Sequence, residues 1–351
     1  MNGCLTVPAS NDIICSVSDH LINMRGAADL HADGTKLAEQ ADGGLRESLY
    51  RRMLLIRRFE ERVYRLFLEG EIPGTLHQYQ GQEAVAVGVC DALTRDDWIT
   101  STHRPHGHAL AKGVSARSAM AELYGKRTGC CGGKGGSMHL GDPDVGMLPA
   151  IAIVGGGNTV VTGLGLAMKL RRRDQVAVCF FGEGATNEGA FHEGINFAAV
   201  ERLPVVLVCE NNLYGASTRY SRVALVPDVA ERAKAYGVPA RIVDGMDVLA
   251  VRAAARDAVA AARAGAGPTL LECKTYRFTG HSRSDARGYR TREEEARWAA
   301  RDPLLVLGAS LNEATRGHLE AEVKGELDDA VEFARDSPFP EPGDATASVY
   351  A

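Results

Sequence analysis

The sequence lacks the features that would place it in several large functional classes. No run of about 18 apolar residues occurs, so a membrane-spanning helix is not expected. No GxxxxGK[ST] segment occurs, which excludes the usual nucleoside-triphosphate loop. Eight cysteines are present, but none form a CxxC pair or any other metal-type spacing, and only Cys130 and Cys131 are adjacent. With Cys179, Cys209 and Cys273 inside apolar runs, this reads as a reducing, cytoplasmic setting with mostly buried thiols. Excess positive charge is also missing: the formal net charge is -5, so nucleic acid is not an expected partner.

The remaining composition is that of an ordinary globular protein: 351 residues, 45% hydrophobic and 24% charged, enough for one large domain or two. Residues 1–44 differ from the rest, with acids at Asp12, Asp19, Asp29, Asp33, Glu39 and Asp42 and scattered Gly and Ser. An Arg-rich transit peptide or an apolar secretory block would look different. A flexible N-terminal tail is expected there, followed by one domain over 45–351.

Leu45 to Glu69 carries Leu49, Met53, Ile56, Phe59, Val63, Leu66 and Phe67 at spacings of three and four, which predicts a helix. Gly81–Leu93 and Ala116–Tyr124 predict two more. A glycine-rich stretch from Thr128 to Gly157 is too long for an idle connection. Beyond it the pattern alternates. Val176–Phe181 and Pro204–Cys209 are short apolar runs suited to strands buried on both faces, with helical Glu188–Val200 between them. Arg241–Val243, helical Val248–Arg263 and Thr269–Cys273 repeat the theme. The expected class is α/β, a parallel sheet with helices on both faces.

Ligands collect at the carboxyl ends of such strands. Here the first strand runs into Gly182-Glu183-Gly184-Ala185-Thr186-Asn187 and the second into Glu210-Asn211-Asn212-Leu213-Tyr214. Glycines at a strand-to-helix turn admit a diphosphate, and a hard cation such as Mg²⁺ seeks oxygen ligands shared with phosphate. Glu183 offers a carboxylate, Asn212 an amide oxygen, and Tyr214 a main-chain carbonyl. Two rival readings stay open at this point. A Gly-x-Gly can be only a tight turn, and Glu210 stands where a dinucleotide fingerprint places its ribose-binding acid. The fingerprint's third glycine position is Asn187, which counts against it.

Glu183 and Asn212 lie 29 positions apart, and Gly-[Asp/Glu]-Gly followed at that distance by Asn-Asn resembles the thiamine-diphosphate motif. The segment GEGATNEGAFHEGINFAAVERLPVVLVCENNLYGAST resembles the alpha subunits of pyruvate and acetoin dehydrogenase components of 2-oxo acid dehydrogenase complexes. So do Gly81-Gln82-Glu83-Ala84, Thr102–His108, Gly133–His139, Ile153–Gly157 and Tyr276–Ser282, in one order from about Leu45 to Pro303.

The resemblance implies a thiamine-diphosphate-binding fold and an oxidoreductase acting on a 2-oxo acid, most simply pyruvate, with a lipoyl disulfide as acceptor. Acetoin is the alternative substrate. It implies Mg²⁺ on Glu183, Asn212 and the Tyr214 carbonyl, with Glu183 standing where the family usually has Asp. Gly182, Gly184 and Ala185 would cradle the diphosphate, Arg104 would clamp it, and His103 would stand in for the family's Tyr. Ile153 and Val154 would support the cofactor, while His281 and His77 would face the substrate as proton donors and acceptors. His106 and His139 are left without an assigned part. Serines corresponding to Ser282 and Ser284 are phosphorylated in mitochondrial relatives; here a mobile loop without a kinase is expected. Glu293-Glu294-Glu295 reads as a solvated helix start. No carboxylate for the cofactor's pyrimidine ring is found, so a beta subunit in an α2β2 assembly and a lipoyl acyltransferase are the expected partners. A non-catalytic paralogue that only docks a beta chain is the reading from another class, motivated by Glu183, His103 and Pro105.

Overall fold

A computed structural model describes residues 43–347. The expected N-terminal tail lies almost wholly outside these residues. The first helix, α1 (Gly43–Leu68), buries Leu49, Met53, Ile56, Phe59, Val63 and Leu66, the stripe read from the sequence. It is followed by α2 (Glu83–Asp91), β1 (Trp98–Thr100), α3 (His106–Lys112) and α4 (Ala116–Leu123). Two longer helices not singled out in the sequence reading complete the shell. One is α5 (Gly156–Leu170), which follows the glycine-rich stretch.

The central sheet is parallel throughout. After α5 come β2 (Ala177–Gly182), α6 (Gly189–Val200) and β3 (Val205–Asn211); a short hairpin, β4 (Tyr214–Gly215) with β5 (Thr218–Arg219), caps the end of β3. Next are α7 (Val229–Ala233), β6 (Ala240–Asp244), α8 (Val248–Arg263) and β7 (Thr269–Lys274), and the sheet order is β1-β2-β3-β7-β6. Side chains of the inner strands alternate between two cores. Val178, Phe180, Val206 and Val208 pack on the side of α1, α2 and α8. Cys179, Phe181, Leu207 and Cys209 pack on the other side, against α6 residues Phe191 and Ile195. Burial on both faces explains why these strands read as unbroken apolar runs.

The C-terminal helices are α9 (Arg292–Ala299), α10 (Pro303–Gly308) and α11 (Glu313–Asp336). The last was not anticipated, because its charged surface masks a thin apolar stripe of Leu319, Val323, Leu327 and Val331. An outer ladder joins it to α1: Arg51 to Glu326 at 2.9 Å, Arg58 to Glu320 at 2.6 Å and Arg62 to Asp328 at 2.6 Å. These partly exposed pairs contribute little individually.

A buried ion cluster ties the ends of the fold together. Glu83 is fully buried and takes both Nε and Nη2 of Arg57, at 2.6 and 3.1 Å. Arg57 also reaches Asp302 at 2.8 Å, and Glu83 accepts the Gly81 N–H at 3.0 Å. Arg57→Met leaves a buried carboxylate without its cation. It is expected to cost about 3–5 kcal/mol of stability, read as a lower urea midpoint. Arg57→Met with Glu83→Met should recover most of that loss, and equal midpoints for wild type and Arg57→Met would refute the account.

Candidate active site

The ends of β2 and β3 come together by register: Gly182 pairs with Glu210, so the residues that follow each strand emerge side by side. A cavity of about 320 Å³ opens there, within the range of small-molecule sites. It is lined by His103, Arg104, Ile153, Val154, Gly182, Glu183, Gly184, Ala185, Asn212, Tyr214 and His281. All the residues expected at the cofactor site therefore meet in one place. His77 stands just behind, its ring 5.0 Å from that of His103 and 5.1 Å from that of His281.

Glu183 is the pivotal group. Its Oε2 accepts the Asn212 backbone N–H at 3.1 Å, while its buried Oε1 has no partner. Burial pushes its carboxyl up to about 7, against the opposing pull of its backbone hydrogen bonds. The Asn212 amide donates to Gln82 Oε1 at 3.0 Å, and its oxygen accepts the Tyr214 N–H at 3.3 Å. Two glycines face each other beside them: a Cβ on Gly184 would stand 3.4 Å from the Gly215 Cα, in ordinary contact. Leu213 and Ala216 flank this contact at φ +75° and +51°, a left-handed backbone typical of functional turns.

The cavity's cations are held by backbone. Arg104 donates to the carbonyls of Gln78 and His281, the second at 3.0 Å, and burial with Arg277 nearby lowers it to about 9. Arg277, which the sequence reading quoted within a motif but did not assign, reaches the Ala216 carbonyl at 3.0 Å and the Tyr289 hydroxyl at 2.9 Å. Burial and the neighbouring arginines depress all three imidazoles: His77 and His281 to about 4, His103 to about 2. They are neutral at pH 7. Buried Nδ1 atoms of His77 and His281 have no partner. Ile153 and Val154 stand 75% and 51% exposed at the cavity wall, where they form an apolar surface.

The other expectations divide. Glu210 is not an exposed ribose ligand: it is buried, taking the Tyr79 hydroxyl and contacting His108 Nε2 at 3.2 Å. Although Glu210 borders the cavity, its Oε1 is already engaged by Tyr79 and His108, which weakens the dinucleotide reading. His106 bridges Glu60 and Ser137 at 3.1 and 3.0 Å, and His139 bonds the Ala150 carbonyl at 2.8 Å. Neither lines the cavity. Glu294 corrects the expectation of a solvated acidic start. It is buried, with Tyr214 and Tyr276 hydroxyls at 2.9 and 3.0 Å and Arg219 at 2.6 Å. The loop bearing Ser282 and Ser284 is held from within by Asp285, which accepts the His281 N–H at 2.6 Å and the Tyr289 hydroxyl at 2.6 Å. Among the described residues, no group of three or more His, Cys, Asp or Glu is arranged to hold a metal. The expected set differs in kind: one carboxylate, one amide and one carbonyl.

The family model described as "Dehydrogenase E1 component" matches residues 51–343. The chain belongs to that family. The match thus extends beyond Pro303 and includes all of α11, past the end of the resemblance read from motifs. An acetoin:2,6-dichlorophenolindophenol oxidoreductase alpha subunit of Bacillus subtilis is 47% identical over 307 residues, covering 86% of this chain and 92% of that one. A chloroplastic pyruvate dehydrogenase E1 alpha-3 subunit of Arabidopsis thaliana is 43% identical over 331 residues, covering 91% and 77%. The pyruvate dehydrogenase E1 alpha subunit of Rhizobium meliloti is 43% identical over 299 residues, covering 83% and 86%. This E1 chain is accordingly an oxidoreductase component of the pyruvate and acetoin dehydrogenase alpha type.

The buried Glu183 of this E1 chain makes a testable statement about pH. Its folded pKa lies above that of an unfolded carboxyl, so its stabilising contribution is complete below about 4.5 and fades as pH rises through about 7. In chelator-treated protein, Glu183→Gln should gain up to about 3 kcal/mol relative to wild type between those limits. Urea midpoints at a series of pH values measure this, and a pH-independent difference would show that the carboxyl is not perturbed.

Proposed function

We propose that the cavity binds thiamine diphosphate with Mg²⁺, and that the chain serves oxidative decarboxylation of a 2-oxo acid, pyruvate foremost, with the acyl group passing to a lipoyl disulfide. The observation that carries this is the orphaned Glu183 Oε1, buried beside Asn212 at the end of β2. A buried carboxylate with a free oxygen is costly unless it stays protonated or meets a cation. A divalent cation coordinated by Glu183, Asn212 and the Tyr214 carbonyl resolves that cost, and a diphosphate would complete its shell. The donor set fits Mg²⁺, because it is all oxygen and leaves positions for phosphate.

When bound, thiamine diphosphate supplies the nucleophilic carbon and the electron sink that decarboxylation requires. The chain's own residues do the rest. Arg104 and Arg277 place positive field on the diphosphate side. Gly184 and Gly215 keep the approach clear of side chains, and Ile153 and Val154 offer an apolar support. His281, His77 and His103 are uncharged, so each presents an N–H and a lone pair, suited to passing protons to and from substrate oxygens.

A beta subunit completes the site in this reading. Besides Ile153 and Val154, the exposed apolar residues include Val160 and Leu170 on α5 and Phe197 and Val200 on α6, a surface of the kind that partners cover. The α2β2 arrangement, the lipoyl acyltransferase and a cytoplasmic setting belong to the same proposal. Acetoin as substrate is a second reading, favoured by a specific observation. The hydrogen bonds of Arg104 and Arg277 are committed to carbonyl and hydroxyl oxygens, leaving three neutral imidazoles that suit an uncharged hydroxyketone as well as a carboxylate.

Co-expression with a beta chain and assay of pyruvate and acetoin with an artificial oxidant tests the proposal. Activity is expected only with thiamine diphosphate and Mg²⁺. Glu183→Ala should abolish Mg²⁺-dependent retention of the cofactor. His281→Ala should retain the cofactor while turnover falls at least about 100-fold. A complex that binds no thiamine diphosphate would refute the reading, and the reverse pattern in the two variants would overturn the roles.

A further inference from the structure

The glycine-rich segment after α4 is wound around a single buried carboxylate. Glu122 Oε2 accepts the N–H groups of Cys131 and Gly133, both at 2.8 Å. Its Oε1 accepts those of Gly135 and Gly136, at 2.7 and 3.1 Å. Four charge-assisted hydrogen bonds thus fix a stretch whose backbone is otherwise unusually free. Gly132, Gly133 and Gly136 all take positive φ within it.

Two free thiols sit at the first of these anchors. Cys130 and Cys131 are adjacent and only half-buried, while Cys90, Cys179, Cys209 and Cys273 are buried. The Cys131 thiol donates to the His139 carbonyl at 3.2 Å, and the two thiols contact each other. The hydrogen bond from Cys130 holds the Cys131 thiol below its ordinary range, favouring the thiolate that attacks an oxidant. Nothing in the thiamine-diphosphate reading uses either sulfur.

We propose that Cys130 and Cys131 form a redox-sensitive vicinal dithiol that fastens or releases the glycine-rich loop. A hydroperoxide is the oxidant. The Cys131 thiolate attacks one peroxide oxygen, breaking the O–O bond, and water or the corresponding alcohol leaves. Cys130 then displaces hydroxide from the Cys131 sulfenic acid, so that one S–S bond replaces two S–H bonds and a second water is released. A thiol reductant reverses the change.

The structural consequence follows from which peptide lies inside the new ring. Adjacent trans residues have Cα atoms 3.8 Å apart, closer than the roughly 4.4–6.8 Å that disulfides prefer. Ring closure therefore twists the Cys130–Cys131 peptide. The N–H of that peptide is the one bonded to Glu122, and the Cys131 thiol is the one bonded to His139. Both ties are lost together. The loop next carries Ser137, which holds His106, which shares Glu60 with the Tyr79 N–H at 2.9 Å. Tyr79 in turn bonds Glu210 in the cavity wall. Oxidation would thus be felt at the site along the loop backbone and the hydrogen bonds of Ser137, His106, Glu60 and Tyr79.

The experiment treats the full-length chain with hydrogen peroxide and maps the products by peptide mass. The expected product is a loss of two hydrogens within the tryptic peptide 128–134, restored by dithiothreitol and distinguishable from changes at Cys4 or Cys15. Cleavage at Lys134, timed in brief limited trypsinolysis of the folded protein, should become about tenfold faster after oxidation, because local opening costs less. Cys130→Ser and Cys131→Ser should each fold, retain the slow cleavage and lose its peroxide response. Addition of oxygen to one cysteine without the internal link, or unchanged cleavage in the oxidised wild type, would overturn the proposal. None of these readouts depends on cofactor binding or turnover.

Discussion

The pairing register of β2 with β3 is the constraint on which the site rests. Because Gly182 stands opposite Glu210, the turn after β2 and the turn after β3 leave the sheet at the same height. Glu183 is then within hydrogen-bond reach of the Asn212 N–H, although 29 residues separate them. A shift of one residue would exchange the two cores as well as part this pair, since strand side chains alternate faces. Register is therefore fixed by the burial of Cys179, Phe181, Leu207 and Cys209 on one side and Val178, Phe180, Val206 and Val208 on the other. The apolar strands place the polar turn.

Around that pair, desolvation is the largest influence on five ionisable groups. It raises Glu183, depresses His77, His103 and His281, and lowers Arg104. The protein keeps the arginines charged by giving them carbonyl oxygens rather than carboxylates. Among the described residues, neither Arg104 nor Arg277 forms an ion pair with a carboxylate; their side-chain hydrogen bonds go to carbonyl and hydroxyl oxygens.

The sequence made the sheet legible because strands buried on both faces leave an unmistakable composition, and it made the cavity legible because its residues lie in short motifs. Glu183, Asn212, Arg104 and His281, read from those motifs, all line the one cavity. What escaped notice depended on partners distant in the chain. Glu294 looked solvated among three glutamates, yet Tyr214 and Tyr276 reach it across 80 and 18 positions. Glu122 carries no local sign that four glycine-loop amides converge on it. The strand β1 is only three residues long, too short for any periodicity, and α11 hides its narrow apolar stripe under charge. Arg277 was visible in a motif, but its position between the cavity and Tyr289 depends on folding.

The ladder between α1 and α11 has a further consequence for biogenesis. At roughly 5–20 residues per second, α1 leaves the ribosome well before the helix that covers it. The partners of Arg51, Arg58 and Arg62 lie 275, 262 and 266 residues later. The whole sheet is thus made while one flank of α1 is still open, and among the described residues the last α-helix covers the first. Until α11 emerges, the arginines on that flank of α1 have no carboxylate partners across the chain.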